Sequence, residues 1–184
     1  MASFLSLGVL LMLGRIGFIW GSIGVLSLLI TSVVRLSNIA LEFFLYPVQI
    51  WHWLALVMWV VFMAYSEGYK GFQQTFSPRV AARLIWLREN PKTWLVALAP
   101  LYAMGFIYAS KKRIIISYSI LIMVLVFVTI AVNLPQPWRP IMDAGVVVGL
   151  LWGATVTGWY IFVAIRTGTS PVNPELPKSA YPTS

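Results

Sequence analysis

Long apolar runs alternate with short polar connections along this chain. Four uncharged runs are long enough to cross a bilayer as helices, because about 20 apolar residues span its hydrocarbon core. They are residues 16–34, 43–66, 114–134 and 144–165. The pattern predicts an all-α integral membrane protein with four transmembrane helices in a single membrane domain over residues 1–166.

A fifth uncharged run, residues 94–110, has only 17 residues and carries Pro100 near its middle. Proline removes a backbone hydrogen bond and kinks or breaks a helix. If this run does not cross, eleven Lys and Arg residues face one side of the membrane and two the other; if it crosses, the division is six to seven. The positive-inside rule therefore favours a re-entrant or broken helical hairpin over a tilted fifth span. Both termini are then cytoplasmic, in a cell inner (cytoplasmic) membrane.

Two further segments complete this plan. Ser77, Pro78 and Pro91 are start and stop signals for a helix over about residues 78–90. Its basic residues place it at the cytoplasmic interface. The tail, residues 167–184, is polar and proline-rich, which predicts an extended or disordered chain unless something holds it, a partner subunit being one candidate.

The composition agrees with a membrane-embedded chain. Hydrophobic residues make up 60% and charged residues 10%, whereas soluble domains carry about 25% charged residues. The net charge of +8 lies in short loops, so we interpret it as topogenic charge facing anionic lipid and not as a nucleic-acid surface. The candidate anionic-lipid contacts are Arg79, Arg83, Arg88, Lys111, Lys112 and Arg113.

Cysteine and histidine usage limits the chemistry. The chain has no cysteine and one histidine, which excludes disulfides, cysteine-ligated metals and a haem held by two of its own histidines. No catalytic triad and no metal-ligand spacing is evident. The sequence therefore assigns no catalytic residue and no metal site, and it leaves any cofactor unknown.

Small residues recur at helical spacing in the first and last runs. Such stripes let helix backbones approach closely, which drives helix association in lipid. They predict either packing within the four-helix unit or a face for another subunit or a flat cofactor. The two stripes are Gly14, Gly17, Gly21 and Gly24, and Gly145, Gly149, Gly153 and Thr157.

A group of polar residues falls in the predicted outer half of the membrane: Arg35, Glu42, His52, Arg139 and Asp143. Arg139 and Asp143 are four residues apart and can form an ion pair on one helix face. His52 lies inside an uncharged run, where an ionisable residue is a candidate ligand or proton site. The alternative is a neutral histidine hydrogen-bonded within an interfacial aromatic belt.

Three functions are consistent with these patterns. The leading hypothesis is a small non-catalytic subunit of a larger membrane assembly, packed through the glycine stripes against other subunits or a second copy, with membrane lipids as further partners. The first alternative is a small transporter or channel that uses the broken hairpin around Pro100 and the outer polar cluster. The second is an enzyme acting on a lipid or quinone, which would need His52 and Asp143 to converge.

Overall fold

A computed structural model describes residues 2–180, and within that range the chain is helical with no strand. Four helical stretches are long and apolar enough to cross a membrane. The α-helices are α1 (Ala2–Leu41), α2 (Ile50–Met63), α3 (Ser77–Glu89), α4 (Thr93–Ala97), α5 (Ala99–Ala103), α6 (Lys111–Val132) and α7 (Trp138–Thr167).

The second long stretch begins later than the apolar pattern predicts and ends much later. Tyr46 is extended (φ −104°, ψ 151°) because the next residue, Pro47, disfavours the helical region for its predecessor. Helix α2 then starts at Ile50, and a π-helical segment (Ala64–Phe76) joins it directly to α3. The residues between the predicted span 43–66 and the predicted helix at about 78–90 are therefore helical too, and the chain stays helical from Ile50 to Glu89.

Helix α3 occupies the position at which a short helix was expected, but it does not begin at a capped end. Phe76 and the residues before it are already helical, so Ser77 is not needed as an N-cap. Its buried hydroxyl is instead 2.8 Å from the hydroxyl of Thr157 on α7. Each hydroxyl thereby satisfies the other's hydrogen-bonding need, which a buried polar group requires.

Residues 94–110 do not form one helix. Helices α4 and α5 are separated by Leu98, which precedes the start of α5 at Ala99 and Pro100. Irregular turns then lead to α6, and they include Gly105 (φ +85°) and Tyr108 (φ +48°). The break at Pro100 that the sequence indicates is thus present, and we call residues 93–110 the broken hairpin.

The chain forms two compact units. The first unit contains the chain up to Leu26, residues 76–119 and the chain from Thr157 onward; the second contains residues 27–75 and 120–156. In the first unit, Leu87, Leu95, Ala99, Tyr102 and Leu176 form a buried cluster, together with Val96. This cluster joins α3, the broken hairpin and the C-terminal tail.

The first glycine stripe lies inside the first unit. A methyl group added at Gly14 would meet the backbone of Arg88, and one added at Gly21 would lie 2.5 Å from Leu84. Because Gly14 pairs with the later residue of α3, α1 and α3 run antiparallel. The same stripe contacts the broken hairpin, since Gly17 lies against Val96 and Gly24 against Pro100.

The second glycine stripe is also buried within the chain. In the second unit it packs α7 against α2 and the π-helical segment. Matching contacts occur in the same order along both partners, so the two stretches run parallel. From their N-terminal ends these contacts join His52 to Trp138 (ring centroids 5.2 Å apart), Trp59 Nε1 to the Met142 carbonyl (3.0 Å), Glu67 to Gly149, and Phe72 to Gly153.

Candidate functional site

The π-helical segment carries one carboxylate, Glu67, that the sequence reasoning treated only as the end of a span. Its Oε2 atom is buried and has no hydrogen-bond partner among the described residues. Leaving a buried polar atom unpaired costs about 1–3 kcal/mol. π-Helical turns are rare and occur frequently at functional sites. Glu67 therefore combines an unfavourable environment with an unusual backbone.

Gly149 of α7 makes room for the Glu67 side chain. A methyl group at residue 149 would lie 2.7 Å from Glu67 Oε2 and 3.2 Å from both its Cβ and its Cδ. Only a residue without a side chain lets the carboxylate lie so close to the α7 backbone. The next residue, Gly68, lies against the ring of Trp152, whose Nε1 donates to Gln73 Oε1 at 2.9 Å.

The contact with α7 places Glu67 beside an apolar part of a candidate span. Gly149 lies in the uncharged run 144–165, six residues after Asp143 and 17 before Arg166. At about 1.5 Å of rise per residue, these separations are roughly 9 Å and 25 Å along the helix. No lysine or arginine forms an ion pair with Glu67 in the part of the chain that the structure describes.

The outer polar residues come together only in part. Arg139 Nε lies 3.8 Å from Asp143 Oδ2, which is the expected pair four residues apart. Glu42 is close enough to Asp143 to interact electrostatically with it. Arg35 is exposed near the end of α1.

His52 has a local role in the helix. Its Nδ1 accepts a hydrogen bond from the backbone N–H of Gln49 (3.0 Å), and the Gln49 side chain accepts one in return from the backbone N–H of His52. The pair thus forms a capping box at the start of α2. No hydrogen bond joins His52 to Asp143 in the described residues. The described contacts therefore do not join His52 and Asp143 in the way that a catalytic pair would require.

Five of the six basic residues expected at the lipid interface divide into an exposed and a buried group, and the sixth, Arg79, is half-buried and pairs with Glu175. Arg88, Lys111 and Lys112 are exposed, as a contact with lipid headgroups requires. Arg83 and Arg113 are buried instead, with 1% and 5% of their surfaces exposed. They lie inside the first unit because the broken hairpin and the tail cover them.

Arg83 holds irregular backbone together. Its Nε donates to the Tyr102 carbonyl (2.6 Å), its Nη2 to those of Ile107 and Tyr108 (2.8 and 3.0 Å), and its Nη1 to that of Pro174 (2.9 Å). The guanidinium also lies 4.3 Å from the centre of the Tyr102 ring. Turns lack the hydrogen bonds of a helix, and the fixed fork of an arginine supplies them at several points.

In the described part of the C-terminal tail, residues 168–177 have no regular secondary structure and Lys178–Ala180 form a 3-10 turn, and this same chain holds the tail in place. Three consecutive residues make the attachment, and we call residues 174–176 the strap. Besides Pro174 on Arg83, Glu175 pairs with Arg79 (3.1 Å) and accepts a hydrogen bond from the Ser110 N–H through its carbonyl (2.8 Å). Leu176 is 4% exposed.

Two features of the structure, Glu67 and the strap, are not identified by the sequence pattern. Glu67 resembled an ordinary boundary charge, because only the continuation of the helix brings it against Gly149. The strap gave no signal in a polar, proline-rich segment, since its affinity depends on Arg79 and Arg83 far away in the sequence.

Among the described residues, no three His, Asp or Glu side chains are grouped so that they could hold a metal ion. Comparison of the chain with protein-family models, with curated proteins and with solved structures finds no match.

Proposed function

We propose that the chain is an integral membrane protein with four spans, in which the broken hairpin enters and leaves the membrane on one side. The parallel packing of α2 and α7 supports this topology. Two spans run parallel only if an odd number of crossings separates them. Helix α6 provides one crossing, and a crossing by residues 94–110 would make two and require antiparallel packing.

We further propose that this protein is a small carrier that moves protons across the membrane through Glu67. The observation that supports the proposal is the buried, unpartnered carboxylate oxygen beside the apolar run of α7. An ionisable group in such surroundings is costly and marks an ion or proton pathway by default. A carboxyl group there is neutral while it holds the proton, and it becomes a carboxylate when it releases the proton, so release requires water or another polar group to reach Glu67.

The transporter expected from the sequence uses the outer polar cluster, whereas the carrier proposed here uses Glu67. The outer polar cluster contains an ion pair and a helix cap, whereas no cation or hydrogen-bond donor of the described residues occupies Glu67 Oε2. The π-helical backbone suits a site whose geometry changes, because its wider turn has an alternative in the α-helix.

The test is proton uptake into proteoliposomes. Purified protein is reconstituted in vesicles of phosphatidylethanolamine and phosphatidylglycerol, and a potassium diffusion potential is applied with valinomycin. An enclosed pH-sensitive dye reports proton entry. The wild-type chain is expected to acidify the vesicles well above protein-free vesicles, and Glu67→Gln is expected to remove that excess.

Glu89→Gln is the matched control, because Glu89 is exposed at the end of α3. It removes one carboxylate from the same helical stretch and is expected to retain the wild-type rate. Proton entry that is equal in wild-type, Glu67→Gln and protein-free vesicles would sink the proposal. So would a wild-type rate in Glu67→Gln.

The subunit hypothesis stays a prediction and now needs another surface. Both glycine stripes are used within the chain, so a partner would have to bind elsewhere, and α6 exposes nearly its whole surface from Tyr118 to Ile130. Native mass spectrometry after mild extraction tests it. A particle heavier than the 20.6 kDa chain with other polypeptides present would support the subunit, and a lone chain would favour the independent carrier.

A further inference from the structure

The strap joins a solvent-exposed connection to a well-packed site. Residues 166–173 before it are exposed throughout, and Gly168 has a left-handed backbone (φ +65°) that ends α7. Among the described contacts of the strap, Pro174 and Glu175 make the polar attachments to α3 and to Ser110. Segments with few contacts open locally at a lower free-energy cost than the whole fold.

The attachments of the strap differ in strength. Leu176 is buried in one cluster with Leu87, Leu95, Val96, Ala99 and Tyr102, and Ala180 packs against the same cluster, so Leu176 is the buried apolar anchor of the strap. The Arg79–Glu175 ion pair is partly exposed, with 27% and 34% of the two side chains accessible, and such pairs contribute little. Glu175 also adopts φ +52°, a left-handed conformation that non-glycine residues rarely adopt.

Release of the strap would leave the remaining site largely intact. Arg83 would lose the Pro174 carbonyl as an acceptor and keep those of Tyr102, Ile107 and Tyr108. The Ser110 N–H, just before α6, would lose the Glu175 carbonyl. The buried cluster that contains Leu95 and Tyr102 would lose the Leu176 side chain.

From these contacts we infer that residues 174–176 form a releasable strap that holds the broken hairpin closed against α3, with the Arg79–Glu175 pair adjusting how often it opens. The inference concerns the tail and the hairpin and stands independently of proton transport through Glu67. Its effect on transport rests on the proposed function.

The first experiment measures strap opening directly. Because the chain has no cysteine, Leu176→Cys introduces a single thiol at the buried anchor. Its rate of labelling by a soluble maleimide, relative to the rate in unfolded protein, reports how often the strap is open. Labelling is expected to be slow in the folded reporter protein.

Charge reversals then test the control by the ion pair. Arg79→Glu and Glu175→Arg, each in the reporter protein, are expected to speed labelling by about two- to fivefold, the range for a partly exposed pair. The double reversal restores the pair and is expected to return most of the way to the reporter's rate. Arg88→Glu, on the exposed part of the same helix, is the control and is expected to leave the rate unchanged.

Two results would overturn the inference: labelling of the reporter as fast as unfolded protein, or single reversals that label no faster than Arg88→Glu. A second variant guards against a perturbed reporter. Arg79→Cys and Glu175→Cys together, in protein without the reporter thiol, are expected to be joined by a reducible bis-methanethiosulfonate reagent that spans the length of the two lost side chains, because the Arg79 and Glu175 head groups meet at 3.1 Å whereas a direct disulfide needs Cα atoms within about 7 Å. Failure of the reagent to join them would contradict the attachment itself.

The cross-linked protein also separates this inference from the carrier proposal. If Glu67 carries protons and the strap gates the hairpin, the cross-link is expected to slow proton uptake at least twofold, and cleavage of the cross-link by a reductant is expected to restore it. Uptake that is lost in Glu67→Gln but unchanged by the cross-link would overturn gating while leaving the carrier. Charge-dependent labelling in a protein without proton uptake would support the strap and reject the carrier.

Discussion

The packing of α7 can be tested with two glycines that lie five residues apart on that helix. A methyl group at Gly153 would lie 2.5 Å from Phe72 Cδ1 and Cγ and 2.7 Å from Cδ2. At Gly158 it would meet nothing within 4 Å. Carbon atoms prefer separations of about 3.5–4.0 Å, so Gly153→Ala requires Phe72 or a helix to move by about 1 Å.

The two substitutions share one effect and differ in another. Replacing glycine by alanine inside a helix is favourable by about 1 kcal/mol. Overpacking a close contact costs about 1–3 kcal/mol. The difference in unfolding free energy between Gly158→Ala and Gly153→Ala therefore isolates the contact with Phe72, and we expect about 1–3 kcal/mol in favour of Gly158→Ala.

Thermal unfolding in detergent, followed by tryptophan fluorescence, provides the assay. For a chain of this size, 1 kcal/mol corresponds to about 2–4 °C in Tm. Gly158→Ala is expected to melt at or above the wild-type temperature and Gly153→Ala to melt roughly 2–12 °C below Gly158→Ala. Equal Tm values for the two variants would refute the reasoning, because a stripe that faces lipid or a missing partner has no Phe72 ring to displace.

Three further predictions follow from the first unit and the topology. Arg83→Met is expected to lower the unfolding free energy by more than about 3 kcal/mol, because buried carbonyls lose a charged donor. Arg83→Lys is expected to recover only part of this loss. Equal stability of Arg83→Met and wild type in a denaturant titration would contradict the prediction. Leu176→Ala is expected to lower the unfolding free energy by about 2–5 kcal/mol if the strap stays bound, and by less if the strap opens. Maleimide labelling of a single cysteine placed elsewhere in the strap would distinguish the two cases. Single cysteines at Lys92 and Lys111 are expected to react with an impermeant reagent from the same side of the membrane, and a cysteine at Gln136 from the other side; labelling of Lys92 and Lys111 from opposite sides would mean that residues 94–110 cross.

Sequence patterns were sufficient for the helical class, for the number of long apolar helices and for the break at Pro100. These features depend on local chemistry, namely runs of apolar side chains, the missing N–H of proline and the spacing of glycines along one helix face. The Arg139–Asp143 pair is local in the same way, since four residues of helix bring the two side chains onto one face.

The limits of the second helix were not predictable in this way. A charged residue after an apolar run usually marks the water boundary, so the sequence pattern predicts that the second span, residues 43–66, stops before Glu67. The structure instead continues as a π-helix to Phe76 and as α3 to Glu89, because Gly149, Gly153 and the Thr157 hydroxyl accommodate Glu67, Phe72 and Ser77. The partner helix, distant in sequence, decided that boundary.

The sequence by itself determined that this is a helical chain rich in candidate membrane spans, that glycine stripes would pack closely, and that no cysteine chemistry is available. Only the tertiary structure decided which surfaces those stripes meet, that Arg83 is an internal donor and not a lipid contact, and that Glu67 Oε2 lies beside an apolar helix with no hydrogen-bond partner among the described residues. The physical reason is that apolar periodicity and proline act over a few residues, whereas burial, hydrogen-bond satisfaction and charge pairing depend on side chains that the fold brings together from distant parts of the chain.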